Sequence, residues 1–210
     1  MAPALPSGPF LYPILDVAML GGRTVGTAVA ALAGGGARIV QLRAKGLPDR
    51  RLFTLAAEAV AAAREADVLL VVNDRPDVAR ILGAAGVHLG QDDLPPREVR
   101  RLLPPGSIIG LSTHGLQQLD AAQDEPVDYV AIGPVFPTRT KANPDPVVGL
   151  ETVGRARRRT RRPLVAIGGI TAENARSVVE AGADGVAVVS ALLNADDLTE
   201  AARALLARLR

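Results

Sequence analysis

The sequence predicts an α/β protein, a single-domain (β/α)8 TIM barrel over residues 1–210, with residues 1–9 as a short N-terminal extension. Three observations predict it. Apolar runs and amphipathic runs alternate about eight times along the chain. The apolar runs are unbroken, as parallel strands buried on both faces are. No glycine fingerprint follows the first run, which argues against an open dinucleotide-binding sheet. A chain of 210 residues suits one barrel, and a hydrophobic content of 48% is enough to fill its core.

The elements follow in order. Phe10 to Asp16 reads as the first strand, and Gly26 to Ala33 as a helix ended by Gly34-Gly35-Gly36. Ala37 to Leu42 is the second strand; Asp49 is placed to cap a helix from Arg50 to Glu65, whose apolar face is Leu52, Leu55, Ala56, Ala59 and Val60. Val68 to Val72 is a strand, and Pro76 opens a short helix over Asp77 to Leu82. Gly86 to Leu89 is a strand, Pro95-Pro96 open a helix through Leu103, Ser107 to Leu111 is a strand and Gly115 to Ala122 a helix. Val127 to Ile132 is the sixth strand, followed by a polar insert and a helix over Leu150 to Arg159. Pro163 to Ile167, Ala172 to Ala181, Gly185 to Val189 and Asp197 to Leu209 complete the pattern as strand, helix, strand and helix. The stretch from Lys141 to Gly149 is the longest polar insert and is placed to act as a lid.

Composition narrows the function. With no cysteine, disulfides and thiolate metal sites are excluded. No apolar run approaches the ~20 residues of a membrane span. The N-terminus lacks the basic start of a signal peptide, so a cytoplasmic protein without membrane contact is expected. Arg155, Arg157, Arg158, Arg159, Arg161 and Arg162 form a basic cluster, but no aromatic residue interleaves with it. It reads as a solvated helix end favoured by the helix dipole, not as a nucleic-acid surface.

The functional signal lies at the C-terminal ends of the strands, which face one shared site in this fold. Gln41, Arg43 and Lys45 end the second strand on one side of its alternation. Asn73 and Asp74 follow the third, Gln91, Asp92 and Asp93 the fourth, and Ser112, Thr113 and His114 the fifth. The sixth opens onto Gly133-Pro134-Val135-Phe136-Pro137-Thr138-Arg139-Thr140-Lys141; Gly168-Gly169 follow the seventh and Ser190 the eighth. The N-terminal ends show nothing comparable; the strands begin with Phe, Ala, Val, Gly, Ser or Pro. Asp74 and Asp93 can hold one hard cation, Mg2+, which takes one or two carboxylates and completes its shell with water and phosphate oxygens. Arg43, Lys45 and Lys141 supply positive charge for a diphosphate. Gly168-Gly169, before a helix start, offers backbone N–H groups to a second phosphate. Two anion sites and one cation imply two phosphorylated substrates, or one phosphorylated at both ends.

Each residue also has a structural role open to it. Asp74 and Asp93 can cap the helices that follow. Arg43 and Lys45 can form ion pairs with those carboxylates, and Gly168-Gly169 can be a tight turn. His88, inside an apolar strand, is expected to be a packed core histidine; His114 is either a site residue or part of a helix start.

Seven segments make the pattern specific: Gln41-Leu42-Arg43-Ala44-Lys45, Val72-Asn73-Asp74-Arg75, His88-Leu89-Gly90-Gln91-Asp92-Asp93, Gly110-Leu111-Ser112-Thr113-His114, Gly133 to Lys141, Ile167-Gly168-Gly169-Ile170 and Val188-Val189-Ser190. In this order they resemble the thiamine-phosphate synthase (thiamine-phosphate pyrophosphorylase) family over nearly the whole chain. The resemblance implies a transferase that joins hydroxymethylpyrimidine diphosphate to hydroxyethylthiazole phosphate with Mg2+ as cofactor. It implies that Gln41, Leu42, Arg43, Ala44, Lys45, Asn73, Ser112 and Lys141 hold the pyrimidine diphosphate, with Ser112, Lys141 and Arg43 as the catalytic residues. It implies that Thr138, Arg139, Thr140, Gly169, Val189 and Ser190 hold the thiazole phosphate, and that Asp74 and Asp93 ligate the metal. Ala44 stands where the family often carries Glu, at a position alternation points away from the ligand. The competing readings are a thiazole tautomerase of a sister family, which uses a histidine matching His114 and needs no diphosphate site, and a non-catalytic sensor of phosphorylated ligands. The partners expected are two phosphorylated small molecules, with no nucleic acid, no membrane, and room for a homo-oligomer.

Overall fold

Phe10–Asp16 forms β1, every residue of it buried, and it is both the first and the closing stave of a barrel. The structure is a computed structural model that describes residues 4–138, 140 and 145–210. Met1 to Pro3, Arg139 and Lys141 to Pro144 therefore lie outside the described residues. The other strands are β2 (Ile39–Arg43), β3 (Leu69–Asn73), β4 (Gly86–Leu89), β5 (Ile108–Thr113), β6 (Tyr129–Ile132), β7 (Leu164–Ile167) and β8 (Gly185–Val188). All pair in parallel in chain order, and β8 closes on β1 with Phe10 opposite Gly185. The helices are α1 (Val25–Gly34), α2 (Asp49–Glu65), α3 (Pro76–Leu82), α4 (Pro96–Leu102), α5 (Leu116–Ala122), α6 (Gly149–Arg159), α7 (Ala175–Glu180), α8 (Ser190–Leu193) and α9 (Leu198–Arg208).

Strand alternation sorts the core into two layers. Phe10, Tyr12, Ile14, Ile39, Val71, Tyr129, Ala131, Val165 and Ala187 fill the barrel interior. Leu11, Leu15, Val40, Leu42 and Val72 point outward and meet the helices at Val29, Leu32, Ala56, Ala59 and Leu119. Truncating a buried leucine of this outer layer to alanine costs about 2–5 kcal/mol, because the removed apolar surface leaves a cavity behind.

Several local expectations are corrected. Asp49 does not cap α2: Pro48 holds that position, and Asp49 enters the first turn and pairs with Arg75 at 2.6 Å. The seventh helix begins at Ala175, not at Ala172, because Thr171 to Asn174 close a turn in which the Thr171 amide donates to Asn174 Oδ1 at 2.8 Å. A short helix, α8, starts directly at Ser190, where only a strand end was expected. The basic cluster around α6 is more than a solvated end. Arg157 reaches Asp184 at 2.6 Å, and Arg162 donates to the carbonyls of Ala122 and Glu125 at 2.7 and 2.8 Å, tying α6 to the C-terminus of α5.

Candidate active site

The C-terminal strand ends bring most of the expected residues to one mouth. On β2, Gln41 is buried and points into the barrel, where its Nε2 donates to Tyr12 Oη at 3.2 Å. Arg43, two residues on, takes the same side and is clasped by Asp16 at the end of β1. Asp16 also accepts from the Ala18 amide at 3.1 Å, so its carboxylate is fixed before it meets the guanidinium. The ion pair that Arg43 makes is thus with Asp16, a residue that reads in the sequence only as the end of an apolar strand, and not with Asp74 or Asp93, the structural alternative open to it. The side chains of Leu42 and Ala44 pack in the outer layer, so a role for them in binding is limited to their backbone. Lys45 sits beyond the strand and pairs with Asp74 at 3.0 Å.

The two metal-candidate carboxylates are neighbours. Asp74 follows β3 in the left-handed backbone region, φ 63°, and its amide donates to the His88 carbonyl at 2.9 Å. It does not cap α3, which begins at Pro76 behind Arg75 without a side-chain cap. Asp93 does not cap α4 either; its Oδ2 accepts from the Gly90 amide at 2.5 Å. Burial raises the Asp93 pKa, and the adjoining Asp74 carboxyl adds to the rise, while Gly90 and Lys45 oppose it. Two carboxyl groups crowded at a half-buried place are a site short of positive charge, the condition a divalent cation relieves. Among the described residues no group of three or more His, Cys, Asp and Glu side chains gathers. The two carboxylates are hard oxygen donors of the kind Mg2+ takes when waters and phosphate oxygens complete its shell. Asn73 ends β3 beside this pair, half-buried and opposite His88 in the β3–β4 register.

On the far side, Ser112 lies near the end of β5 with its Oγ 2.8 Å from His88 Nε2. His88 is buried, as expected of a core histidine, and stacks on Tyr129 at 5.5 Å between ring centroids. Burial lowers its pKa to about 4, so it is neutral at physiological pH. Its other nitrogen, Nδ1, lies 2.8 Å from Tyr129 Oη, which in turn lies 2.9 Å from Tyr12 Oη. Tyr12 and Tyr129 therefore link Gln41 to Ser112 beneath the mouth. Sequence reasoning missed both tyrosines because each reads only as a member of an apolar run. The available signal was that a buried tyrosine hydroxyl needs a partner.

Of the remaining candidates, Gln91 donates to the Ser112 carbonyl at 2.6 Å, Thr113 bonds the Ala131 carbonyl at 2.8 Å inside the wall, and Asp92 is exposed. His114 precedes α5 and ties the β5 end to the next loop: its Nδ1 lies 2.9 Å from the Gly133 carbonyl oxygen and 3.4 Å from Asp145.

The loop after β6 continues the ladder to β7. The Val135 amide donates to the Ile167 carbonyl at 2.9 Å, and the Phe136 amide to the Gly168 carbonyl at 3.0 Å. Gly168 and Gly169 both adopt positive φ, 101° and 65°, and an added Cβ would meet Pro134 and Pro137 at 2.5 Å. These glycines let two loops touch; with α7 starting only at Ala175, the expected helix N-terminus behind them is absent. That N-terminus occurs instead after β8, where Val189 precedes Ser190 at the start of α8. A short extra helix in this place is the usual phosphate seat of the fold. Thr138 and Thr140 stand half-buried at the tip of the β6 loop with their hydroxyls 3.3 Å apart. Arg139 and Lys141, expected to complete this loop, lie outside the described residues.

The geometry defines a class: a parallel (β/α)8 barrel whose mouth combines a carboxylate pair, a cationic flank and a glycine-lined corner. A sequence profile described as thiamine monophosphate synthase matches residues 11–192, and the chain belongs to that family. It is 46% identical to the thiamine-phosphate synthase of Methanoculleus marisnigri over 93% of this chain and 92% of that protein. It is 48% identical to the enzyme of the same name from Albidiferax ferrireducens, over 89% of this chain and 85% of that one. Among solved structures, the thiamine phosphate pyrophosphorylase of Pyrococcus furiosus superposes with a TM-score of 0.86 at 36% identity, covering 95% of each chain.

Proposed function

We propose that the chain condenses 4-amino-2-methyl-5-hydroxymethylpyrimidine diphosphate with 4-methyl-5-(2-hydroxyethyl)thiazole phosphate, giving thiamine phosphate and diphosphate in thiamine biosynthesis. The observation that carries this reading is the single mouth that joins the Asp74–Asp93 pair to Lys45 and Arg43 on one flank. The opposite flank holds the Gly168–Gly169 corner and the start of α8. A diphosphate and a monophosphate each have a seat. Neither of the competing activities needs both: isomerising a thiazole phosphate requires no carboxylate pair.

Asp74 and Asp93 would hold Mg2+, whose contribution when bound is to draw charge from the leaving diphosphate. Arg43 and Lys45 place further positive charge where that charge develops, and Asp16 keeps the Arg43 guanidinium oriented for it. Lys45 already contacts Asp74, so diphosphate binding adds an anion to an existing charge cluster without displacing a buried group. Gln41 and Ser112, with Asn73 at the rim, hold the pyrimidine. The C–O bond to diphosphate breaks, and the thiazole nitrogen forms the new C–N bond at the same carbon. Thr138, Thr140, Gly169, Val189 and Ser190 fix the thiazole phosphate so that its nitrogen faces that carbon, a gain from positioning and not from covalent catalysis. No described side chain at the mouth is arranged as an activated nucleophile: the histidine that contacts Ser112, His88, has its pKa lowered by burial to about 4 and is too weak a base to take the serine proton. A cytoplasmic location accords with the absence, among the described residues, of any helix long and apolar enough to cross a membrane.

The test is the protein with both substrates and Mg2+: diphosphate and thiamine phosphate should form in equal amounts. Isomerisation of a thiazole phosphate alone, with no diphosphate released from the pair, would replace this reading by the tautomerase. Arg139 and Lys141 enter through their place in the β6 loop. Lys141→Ala should weaken pyrimidine diphosphate binding at least about tenfold, with thiazole phosphate binding within about twofold of wild type, as expected for a cation reserved for one ligand. Equal losses by calorimetry would assign the loop differently.

A further inference from the structure

The polar chain inside the barrel has a property that its end groups share. It runs from Gln41 Nε2 to Tyr12 Oη (3.2 Å), on to Tyr129 Oη (2.9 Å) and His88 Nδ1 (2.8 Å), and from His88 Nε2 to Ser112 Oγ (2.8 Å). The members stand on β2, β1, β6, β4 and β5. Among the described residues the one buried side-chain polar atom without a partner is Glu125 Oε2, which belongs to another part of the molecule.

Counting protons limits what this chain can do. The two phenols and the imidazole are buried and bond one another, Gln41 and Ser112, with no carboxylate or cation as a member of the chain, so each takes its neutral form. A neutral phenol has one proton, and a neutral imidazole has one N–H and one acceptor nitrogen. Each inner member has two partners in the chain, so each must donate once and accept once. Only two complete arrangements exist. In one, the Gln41 amide N–H donates to Tyr12, Tyr12 to Tyr129, Tyr129 to His88 Nδ1, and His88 Nε2–H to Ser112, whose own proton is left for the mouth. In the other, every bond is reversed: Tyr12 donates to Gln41, His88 carries its proton on Nδ1, and Ser112 donates inward and offers the mouth only a lone pair. A mixed arrangement leaves a buried bond without a proton, two protons facing each other, or a buried phenol proton with no acceptor, each an unmet polar group in a dry interior.

We infer that Gln41 and Ser112 form one coupled recognition unit, in which the orientation of the Gln41 amide sets whether Ser112 presents a donor or an acceptor, and that Tyr12, Tyr129 and His88 are the positioning residues that transmit it. With Gln41 Nε2 turned to Tyr12, the first arrangement holds. The mouth then meets a hydroxyl donor at Ser112 and the amide oxygen of Gln41. That pair complements a heteroaromatic ring carrying an acceptor nitrogen and an exocyclic amino group. This match of polarity to ligand rests on the proposed pyrimidine substrate; the coupling itself does not.

The His88 tautomer reports the arrangement without any substrate. The chain has only two histidines, so 15N-histidine labelling gives two sets of ring signals, assigned with His114→Gln. The wild type should show His88 as a single neutral Nε2–H tautomer at pH 7. Gln41→Glu replaces an end that can donate by a carboxylate that, ionised at pH 8, only accepts, so Tyr12 and Tyr129 must donate towards it and His88 should move to the Nδ1–H tautomer. Adding Tyr12→Phe to that variant cuts the chain; Tyr129 then has only His88 Nδ1 to donate to, and His88 should return to Nε2–H. A wild-type His88 that carries its proton on Nδ1, or that is already mixed, overturns the inference without any variant. A folded Gln41→Glu in which His88 stays Nε2–H, or a folded double variant in which it stays Nδ1–H, also overturns it. Because the readout is taken without substrates, it judges the coupling separately from the condensation assay, which judges the reaction.

Discussion

At the N-terminal end of the barrel, Arg100 on α4 reaches Asp128 at 2.7 Å, and Asp128 accepts from the Ile109 amide at 2.7 Å. Arg157 on α6 reaches Asp184 at 2.6 Å, and Asp184 accepts from the Leu164 amide at 2.8 Å. The device is the same twice: a helix arginine, an aspartate just before the next strand, and an early amide of the strand between. The arginines' other N–H groups go to carbonyls, Pro126 and Ser107 for Arg100, Thr160 and Arg162 for Arg157. At the C-terminal end, Lys45 meets Asp74 at 3.0 Å, and Asp93 is left beside Asp74 with its pKa raised. Both ends are charged. At one end the charges are satisfied by backbone that no ligand can displace. At the other, Lys45 and Asp74 meet through their side chains, and Asp93, though it accepts from the Gly90 amide, stands against Asp74 with its pKa raised. Charge does not mark the site; unsettled charge does.

The largest effect should come from disturbing the unsettled end. Asp93→Asn keeps an acceptor for the Gly90 amide but removes one of the two carboxylates proposed to hold Mg2+, and should lower turnover in Mg2+ at least about a hundredfold. The sign of its stability effect is opposite to that of most paired carboxylates. The folded-state pKa of Asp93 is raised, so the group favours the fold while protonated, and ionising it costs stability as pH rises through that value. Removing the charge should therefore leave the melting temperature at pH 7 equal to or above that of the wild type. Mg2+ should raise the melting temperature of the wild type and not that of the variant, a difference that thermal scans with and without the ion would read.

Asp16→Ala comes next. It strands Arg43 at the mouth without the partner that orients it, and should cost about 2–3 kcal/mol in denaturant titrations, less than a fully buried pair because Arg43 is partly exposed. Pyrimidine diphosphate affinity should fall with it. A loss of stability with affinity intact would mean that Arg43 does not need Asp16 to find the ligand.

The mirror experiment is Asp184→Ala at the settled end. It should cost about 1–2 kcal/mol by freeing the Leu164 amide and Arg157, with turnover at 25 °C unchanged in the folded protein.

The same contrast explains what was legible in the sequence. The strands read correctly because each is an unbroken apolar run between turn signals, and the positions of Asn73, Asp74, Asp93 and Ser112 followed from where those runs end. What was missed depends on contacts across the barrel. Asp16 counted as the end of a strand until its partner Arg43, on the neighbouring strand, gave it a role. Tyr12 and Tyr129 stand 117 positions apart and look like core residues until their hydroxyls meet. The start of α7 was placed too early because Thr171 to Asn174 have helix-compatible residues, and only the Asn174 side chain bonding back to the Thr171 amide makes them a turn. The N-terminal strand ends were read as lacking charge, yet Asp128 and Asp184 stand there, each satisfied by its own neighbourhood. A one-dimensional reading sees which residues are charged. It does not see which charges are already answered.

The most direct test of that distinction is the Mg2+-dependent rate of diphosphate release, measured side by side for Asp93→Asn and Asp184→Ala below the melting temperature of both. The first should fall at least about a hundredfold while the protein stays folded, and the second should match the wild type. A wild-type rate in Asp93→Asn, or a comparable loss in folded Asp184→Ala, would contradict the placement of the chemistry at the C-terminal mouth.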